Sequence, residues 1–399
     1  MSAATGKVRA AAARLPSGER THTVCGTDGL PQPVVEEFLE HLRTSQASPH
    51  TVQAYARGMA AWWSLLEDRR YDWADIPSGA MSEFLRYLRT GDLPSVSRVG
   101  ADPTWLSPAS VQQRLAAVQA FYQWSASAYD DVASVRRLRR VSHRSGRYAP
   151  MLAGVGPPRS RMGPIARVRS TQGGRPPLLT PEQVDAIVRV AGTPYGPTGQ
   201  LRATRDRLFF AMLPETGLRI GEALSLRHCD WHVGRGDTPH IEVVPRQDHP
   251  HGARVKNNRH RRLYVSDELE AAYSAYVWAL VDAGIDLDIE NLSQHWVFVN
   301  VAAGPRWQAM RPETIYDRVE SITRKLGDRV PAGWSPHWMR HTHATALLLS
   351  GTQPHVVMRR LGHADIQTTI STYGWVTEDA EMRALSGWRK YAHGWEDLT

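Results

Sequence analysis

Apolar residues recur at steps of three and four along the first third of the chain, the spacing that places them on one face of a helix. The first such set consists of Val34, Val35, Phe38, Leu39 and Leu42. Further sets follow up to residue 122, and two of them begin at Ser-Pro pairs, 48–49 and 107–108. A serine N-cap followed by proline is a typical helix start. Residues 30–130 are therefore predicted to form a four-helix domain.

The pattern changes in the second half of the chain. Thr180 and Pro181 predict another helix start. The short apolar stretches Ile241–Val244 and Arg262–Val265 flank a basic turn, which indicates a hairpin. Helical spacing returns in four segments, Glu268–Ala283, Pro312–Leu326, Met339–Ser350 and Pro354–Leu361. The predicted fold class is mainly α with a small antiparallel β-sheet, in two domains, the second spanning residues 177–399.

Between the two domains lies a segment of different composition, residues 131–176. From Arg136 to Arg175 it holds eleven arginines and no acidic residue. Its apolar content is too low for a core, so we expect an extended linker. Contact with a phosphate backbone is the preferred interpretation, and a solubilising hinge is the alternative. The arginines predicted to bind DNA here are Arg136, Arg137, Arg139 and Arg140.

Composition narrows the function classes. The chain has 399 residues, a net charge of +8 and a pI near 9.6, which favours a polyanionic partner, nucleic acid above all, over a merely basic enzyme. Cys25 and Cys229 lie far apart and match no metal-site spacing, which is typical of a reducing cytosol. We find no apolar run long enough to span a bilayer. Residues 1–29 are expected to be a flexible basic leader, and the protein is expected to be cytoplasmic.

Four separated segments of the second domain carry the candidate chemistry. They read MLPETGLRIGEALSL, ARVKNNRHRRLYV, HWMRHTHATALLLSG and LGHADIQTTISTYGW, from Met212, Ala253, His337 and Leu361 respectively. Each segment alone has an ordinary structural interpretation, such as a helix start or a packed aromatic. Together, in order and spacing, they resemble the signatures of the tyrosine recombinase (phage integrase) family. The first domain more weakly resembles the family's helical core-binding, SAM-like domain.

The resemblance implies a role for each matched residue. Arg219 and Arg340 would neutralise a phosphodiester, because guanidiniums stay charged and offer forked donors that fit phosphate. Tyr373 would attack phosphorus and form a covalent 3′-phosphotyrosine, leaving a free 5′-hydroxyl. Three further residues would complete the reaction: Lys256 as the general acid for that hydroxyl, His337 as the acceptor of the tyrosine proton, and His363 as a donor to a phosphate oxygen.

Some assignments leave alternatives open. Lys256 lies in a long, histidine-rich loop, where Arg259 and Arg261 are its rivals for DNA contact. Tyr391 is the alternative nucleophile, but the order of the motif and the helix signals before it favour Tyr373. The tail from Val376 to Thr399 has apolar residues at helical intervals, and docking on a neighbouring protomer or on its own domain is equally compatible with that pattern.

The resemblance also implies cofactors and partners. We expect double-stranded DNA as substrate, a homotetramer in the synaptic complex and room for accessory DNA-bending or directionality factors. No metal and no nucleotide cofactor are predicted, and surface or packing roles are preferred for the histidines and cysteine that invite a zinc interpretation, His228, Cys229, His232, His240, His249 and His251. Integration or excision of a mobile element is preferred over Xer-type dimer resolution. A type IB topoisomerase and a non-catalytic DNA-binding protein are the remaining alternatives.

Overall fold

The helix starts follow local chemistry, as the computed structural model shows. It describes residues 8–18, 20–90, 106–130, 132–138, 175–234, 236–246, 248–255, 259–302, 304–373 and 376. The side-chain oxygen of Ser48 accepts the backbone N–H of Thr51 at 3.0 Å, and Ser107 caps its helix through Ser110 at 3.2 Å. Both predicted helix starts are confirmed, and so is the one at Thr180, which forms a reciprocal capping box with its helix.

Residues 1–173 form one unit and residues 174–399 a second. Among its described residues, the first unit contains a β-hairpin and five α-helices. Its strands are β1, Arg9–Arg14, and β2, Arg20–Cys25. Its helices are α1, Pro33–Thr44; α2, Pro49–Arg69; α3, Ala80–Thr90; α4, Pro108–Ala128; and α5, Ala133–Leu138.

An aromatic core holds the first unit together. Trp62 is completely buried and meets Phe84 and Tyr122 edge to face, with ring centroids 5.0 and 6.2 Å apart. Helices α2 and α4 approach closely at Gly58, where an added Cβ would lie 2.5 Å from that of Ala117. The four predicted helices are therefore present, around one core.

The hairpin corrects the prediction of a flexible leader over residues 1–29. Strands β1 and β2 pair antiparallel from Arg9 opposite Cys25 to Arg14 opposite Arg20, and Val24 is buried against the helices. The sequence RAAAAR in β1 conceals this, because alanine favours helix and is depleted in strands. Pairing with β2, rather than local propensity, determines its conformation.

In the part of the second unit that the structure describes, nine α-helices accompany one small sheet. The helices are α6, Pro181–Ala191; α7, Gly199–Thr216; α8, Ile220–Leu224; α9, Asp267–Asp282; α10, Ile285–Asp288; α11, Pro312–Leu326; α12, Pro336–Leu349; α13, Pro354–Leu361; and α14, Ile366–Tyr373. The strands are β3, Trp231–His232; β4, His240–Val243; and β5, Arg261–Tyr264, antiparallel in the order β3-β4-β5.

This architecture confirms the predicted fold class, although some elements begin at slightly different residues from those predicted. The hairpin strands begin one residue earlier than predicted, at His240 and Arg261. Helix α12 begins three residues earlier, at Pro336, because proline serves as its first residue. Within the ranges described above, no helix has both the length and the apolar content that crossing a bilayer requires.

Candidate active site

A tight turn between α7 and α8 places Arg219. Gly217 caps the C-terminus of α7 with a φ of 68°, in the left-handed region, and Arg219 is the N-cap of α8 two residues later. A Cβ at Gly217 would lie 2.6 Å from Cδ2 of His343. The carbonyl of Gly217 accepts a hydrogen bond from Nη1 of Arg340 at 2.6 Å. The glycine therefore allows two arginine-bearing segments to meet.

Glu222 is the acidic centre of an arginine cluster. Its side chain is 0% exposed, and its two oxygens accept from Arg219 at 2.8 Å and from Arg261 at 2.7 Å. Nη1 of Arg340 lies 4.0 Å from the same carboxylate. Burial opposes ionisation, but Arg261 and Arg219 outweigh it and hold the pKa of Glu222 below its usual value. Three guanidiniums thus share one carboxylate.

Arg340 is fixed from both sides by backbone carbonyls. It is 2% exposed and donates to Gly217 and, through Nη2, to the carbonyl of Leu361 at 2.7 Å. Burial and the neighbouring Arg219 lower the pKa of Arg340 to about 9, so the guanidinium is still charged at neutral pH. These two bonds use two of its five N–H groups, which leaves donor capacity for an anion.

Tyr373 lies in the same region, at the end of α14. Its side chain is 2% exposed and packs in a small apolar cluster with Val357 and Leu361. Its hydroxyl lies 2.8 Å from Nδ1 of His341. Burial raises the pKa of Tyr373 to about 12, while the charges of Arg340 and Arg219 act in the opposite direction. The hydroxyl is therefore protonated, and a histidine holds it close to the arginines.

The two predicted catalytic histidines occupy different environments. His337 is exposed, and its ring meets that of His341 edge to face with centroids 4.5 Å apart. His363 is buried, and its Nδ1 lies 2.8 Å from the hydroxyl of Thr369. Burial, together with Arg340 and Arg219, lowers the pKa of His363 to about 4. His363 is therefore neutral at physiological pH.

Sequence reasoning missed the residues that support this site. His341 follows Arg340 directly, yet motif order alone points to His337. Glu222 belongs to the same motif as Arg219, at the i+3 position where helical residues share a face, so a signal for it was present. His343 accepts from Nε of Arg360 at 3.1 Å and lies 2.9 Å from the carbonyl of Pro214, which joins α7, α12 and α13.

Two predicted DNA contacts near the site have other partners. Arg261 is 7% exposed, and besides Glu222 it binds the carbonyl of Arg360 at 2.9 Å. The structure places this guanidinium inside the cluster, where it supports Glu222, and its contact with DNA stays a prediction. Arg259 is exposed and donates to the carbonyls of His363 and Ala364 at 3.4 and 3.2 Å.

Several predictions fall outside the described residues. Lys256 is among them, as are Arg139 and Arg140. Arg136 and Arg137 belong to α5, but their side chains are not described. The structure therefore brings together Arg219, His337, Arg340, His363 and Tyr373 of the predicted catalytic set.

The histidines considered for zinc separate into two groups. His228 and His249 pack inside the unit: Nδ1 of His228 lies 2.9 Å from the hydroxyl of Tyr273, and the ring of His249 meets Trp296 edge to face. The rings of His232 and His240 instead stack 4.6 Å apart on the sheet. Neither group adjoins the arginine cluster through any contact among the residues described.

A net positive, donor-rich cluster beside a buried tyrosine hydroxyl is suited to binding a phosphate ester and to nucleophilic attack on it. The sequence matches the model of the phage integrase family over residues 177–379, about half of the chain, and these bounds enclose all six residues of the predicted catalytic set. The chain belongs to the phage integrase family. Residues 35–128 also match the family's N-terminal SAM-like domain.

Individual relatives agree with this assignment. The chain is 27% identical over 345 residues to transposase A from transposon Tn554 of Staphylococcus aureus, covering 86% of this chain and 87% of that protein. It is also 27% identical over 355 residues to tyrosine recombinase XerD of Mycobacterium tuberculosis, covering 88% and 96%. The chain is therefore an enzyme of the tyrosine recombinase family, and its relatives are consistent with site-specific recombination.

Solved structures agree on the fold. The XerH recombinase in its post-cleavage complex with difH substrate matches with a TM-score of 0.57 at 18% identity, over 89% of this chain and 84% of that one. The Tn1549 transposon integrase in complex with transposon right end DNA gives a TM-score of 0.57 at 16% identity, over 88% and 99%. Both have the order found in this family, with a helical domain followed by a catalytic one.

Proposed function

We propose that this chain is a site-specific DNA recombinase in which Tyr373 attacks a phosphodiester held by Arg219 and Arg340. The observation that supports it best is the surplus of charge and donors around Glu222. Three guanidiniums face one carboxylate, and Nη1 of Arg261, although buried, has no hydrogen-bond partner among the described residues. A phosphate group provides both the missing charge and the missing acceptors.

The proposed step is a transesterification. A bond forms between Oη of Tyr373 and phosphorus, and the bond from phosphorus to the 5′ oxygen breaks. The 5′ oxygen takes a proton from Lys256, and the phenol proton passes to a histidine. The product is a 3′-phosphotyrosine, which a 5′-hydroxyl from a second strand reverses to join the two strands. The number of phosphodiester bonds is conserved, so the exchange needs no high-energy cofactor.

We assign the two histidines near the nucleophile different parts. His341 is bonded to the tyrosine hydroxyl while that hydroxyl is still buried, so it acts as a positioning residue. Tyr373 has to leave this pocket to reach DNA. His337 is exposed and edge to face with His341, and it is proposed to take the proton once the hydroxyl has moved.

Double-stranded DNA is the proposed partner. XerH and the Tn1549 integrase, which share this fold, were both solved with DNA. In the first unit Arg57 and Arg114 lie within electrostatic range of each other, and neither forms an ion pair with any acid in the part of the chain that the structure describes. We propose that these arginines and those of the linker contact phosphates, and that four protomers assemble on two DNA sites.

A salt titration tests the linker. Replacing Arg136, Arg137, Arg139 and Arg140 by glutamine should reduce the slope of log affinity against log salt by about 0.9 for each phosphate that the variant no longer neutralises. The matched control changes four exposed arginines of the second unit, Arg189, Arg262, Arg311 and Arg329, which removes the same charge elsewhere. Equal slopes for the linker variant and the native chain would exclude linker contact with phosphates.

Covalent capture tests the chemistry without knowledge of the site. A pool of nicked duplexes with randomised arms is incubated with the chain in chelator, and the covalent adducts are isolated on denaturing gels and sequenced. Tyr373→Phe should form no adduct, whereas Tyr391→Phe should form the native amount. An adduct that persists in Tyr373→Phe would show that the nucleophile is misassigned. DNA binding without any adduct from the pool would favour the non-catalytic alternative.

Substrates selected in this way then test the remaining roles. Arg219→Lys keeps the charge but loses the fork, and it should slow adduct formation roughly 10²-fold or more, by analogy with loss of an oxyanion-hole donor. His337→Ala should slow it roughly 10²–10⁴-fold at neutral pH and change the pH profile. His341→Ala should cost less and leave the shape of that profile unchanged. If His341→Ala is slower than His337→Ala and changes the pH profile, His341 rather than His337 is the acceptor of the tyrosine proton.

A further inference from the structure

One face of the small sheet in the second unit carries a group of metal-ligand side chains. His232 on β3 is directly opposite His240 on β4, and Glu242 lies two residues further along β4. Residues two apart on a strand project from the same face, so all three side chains share it. The opposite face is apolar, with Ile241, Val243 and Leu263 buried in the core. The three polar side chains thus occupy the partly exposed side.

The distances between these groups are close to those of a zinc site. One ligand atom each from His232, His240 and Glu242 lies within 4.8 Å of the other two. Nε2 of His232 is 3.7 Å from Oε2 of Glu242, and Nε2 of His260, just before β5, is 3.5 Å from the same oxygen. With bonds of about 2.0–2.2 Å in a tetrahedron, ligand atoms stand roughly 3.4 Å apart. To reach that spacing, the stacked rings of His232 and His240, whose centroids are 4.6 Å apart, would have to turn towards a common point.

Two of these side chains already have the kind of partner that orients a metal ligand. Nδ1 of His240 lies 3.0 Å from the carbonyl of Thr238, which can only accept, so Nδ1 carries the proton and Nε2 keeps its lone pair. Arg262 donates to Oε1 of Glu242 at 3.1 Å and leaves Oε2 facing the histidines.

We propose that His232, His240 and Glu242 bind one divalent transition-metal ion of the zinc class, with His260 as the fourth ligand. Neutral imidazoles and a carboxylate are ligands that zinc accepts, and three to four of them make a structural or open site. The ion would link β3, β4 and the segment entering β5, which continues into Arg261 and so to Glu222. This inference goes beyond the proposed function, whose steps require no metal.

Metal titration of the full chain tests the site. After removal of metal with chelator, the chain is titrated with Zn²⁺ against a competing indicator dye, and with Co²⁺ while visible absorption is recorded. We expect one equivalent of Zn²⁺ and a tetrahedral Co²⁺ spectrum without a thiolate charge-transfer band. Zn²⁺ should also slow hydrogen exchange in β3, β4 and β5. Because the readout is binding, its failure is distinct from any failure of recombination.

Variants identify the ligands. His240→Asn and Glu242→Gln should each weaken Zn²⁺ binding at least roughly 10–100-fold, the typical cost of losing even an orienting neighbour. His355→Asn removes an exposed histidine of the same unit and should leave the affinity unchanged. Circular dichroism checks that each variant is folded. The proposal is overturned if the native chain does not bind Zn²⁺, if His240→Asn binds it as tightly as the native chain, or if Cys229→Ser abolishes binding.

Discussion

Replacing Glu222 by glutamine isolates the role of one buried charge in the arginine cluster. The change keeps the shape of the side chain and removes its negative charge. In the native chain the carboxylate accepts from Arg219 and Arg261 at 2.8 and 2.7 Å and is 0% exposed. In Glu222→Gln one of these donors would face an amide NH₂ group, which cannot accept. Three guanidiniums would then lie together without a counter-charge.

The expected loss of stability is large. Removing one partner of a buried ion pair typically costs about 3–5 kcal/mol, because the remaining charge stays buried and uncompensated. Arg340, 4.0 Å away and 2% exposed, also loses a favourable interaction. The free energy of unfolding of the variant should therefore be about 3–5 kcal/mol lower than that of the native chain. It should also bind anions more tightly than the native chain, because the cluster becomes more positive.

The measurement has to report on the second unit alone. A chain with two units does not unfold in a single two-state step, so a global melting curve is ambiguous. Hydrogen exchange of amides in α7 and α12 at increasing urea gives the free energy of opening of this unit. The assay is repeated at a series of sulfate concentrations. If sulfate binds the folded cluster, each tenfold increase in its concentration above the Kd for sulfate adds about 1.4 kcal/mol to the free energy of opening. Glu320→Gln, exposed on α11, is the control and should change stability by less than about 0.5 kcal/mol.

Two results would refute this reasoning. A loss below about 1 kcal/mol in Glu222→Gln would mean that the arginines do not depend on its charge. A response to sulfate equal to that of the native chain would mean that the cluster does not bind anions through its surplus charge. The second result would also weaken the proposed phosphate clamp, while leaving the family assignment untouched.

Three further predictions concern the same unit. Gly217→Ala should be clearly more destabilising than Gly351→Ala in the same exchange assay, because both have positive φ but only Gly217 would also press a Cβ against His343 at 2.6 Å; equal losses would contradict this. Asp206→Asn breaks comparable buried ion pairs, with Arg205 at 2.8 Å and Arg318 at 2.9 Å, and should lower the free energy of unfolding by about 3–5 kcal/mol. Sulfate should not restore that stability, because the pairs lie in the core. Burial lowers the pKa of four histidines to about 4, namely His228, His249, His343 and His363. Their folded pKa values lie below the unfolded value of about 6.5, so between pH 4 and pH 6.5 the unfolded chain binds more protons than the folded one. The stabilisation from these neutral histidines is therefore complete above pH 6.5, and the free energy of unfolding falls by about 1.4 kcal/mol per pH unit for each histidine as the pH drops towards 4. His228→Asn should make this fall less steep.

Local signals allowed much of the fold to be predicted. The helix starts at Ser48, Ser107 and Thr180 depend on hydrogen bonds between neighbours in sequence, and the structure has all three. The spans Pro312–Leu326 and Pro354–Leu361 match the predicted ones residue for residue. The N-terminal hairpin could not be predicted in this way, because its stability comes from pairing across strands and from packing on helices distant in sequence.

The candidate site was predictable in its residue types but not in its partnerships. Arg219, Arg340 and Tyr373 could be proposed from motif order, since a metal-free attack on a phosphodiester requires fixed cations and a nucleophile. That the tyrosine hydroxyl is held by His341 depends on how α12 and α14 pack. That packing places the hydroxyl of Tyr373 2.8 Å from Nδ1 of His341, although the two residues are 32 positions apart in sequence. Sequence spacing does not contain that information.

Arg261 shows most clearly why such partnerships escape sequence reasoning. Strand β5 alternates, with Arg261 and Leu263 buried and Arg262 and Tyr264 exposed. Leu263 is apolar and fixes the inner face of this strand, and Arg261 lies two residues before it on the same face. The alternation gives the face but does not tell whether an arginine at the end of the strand is enclosed or reaches solvent. The decision comes from Glu222, whose buried carboxylate, 39 positions earlier, requires a guanidinium from this strand. A charged residue on a half-buried strand should therefore be assigned to DNA only after its possible buried counter-charge has been sought.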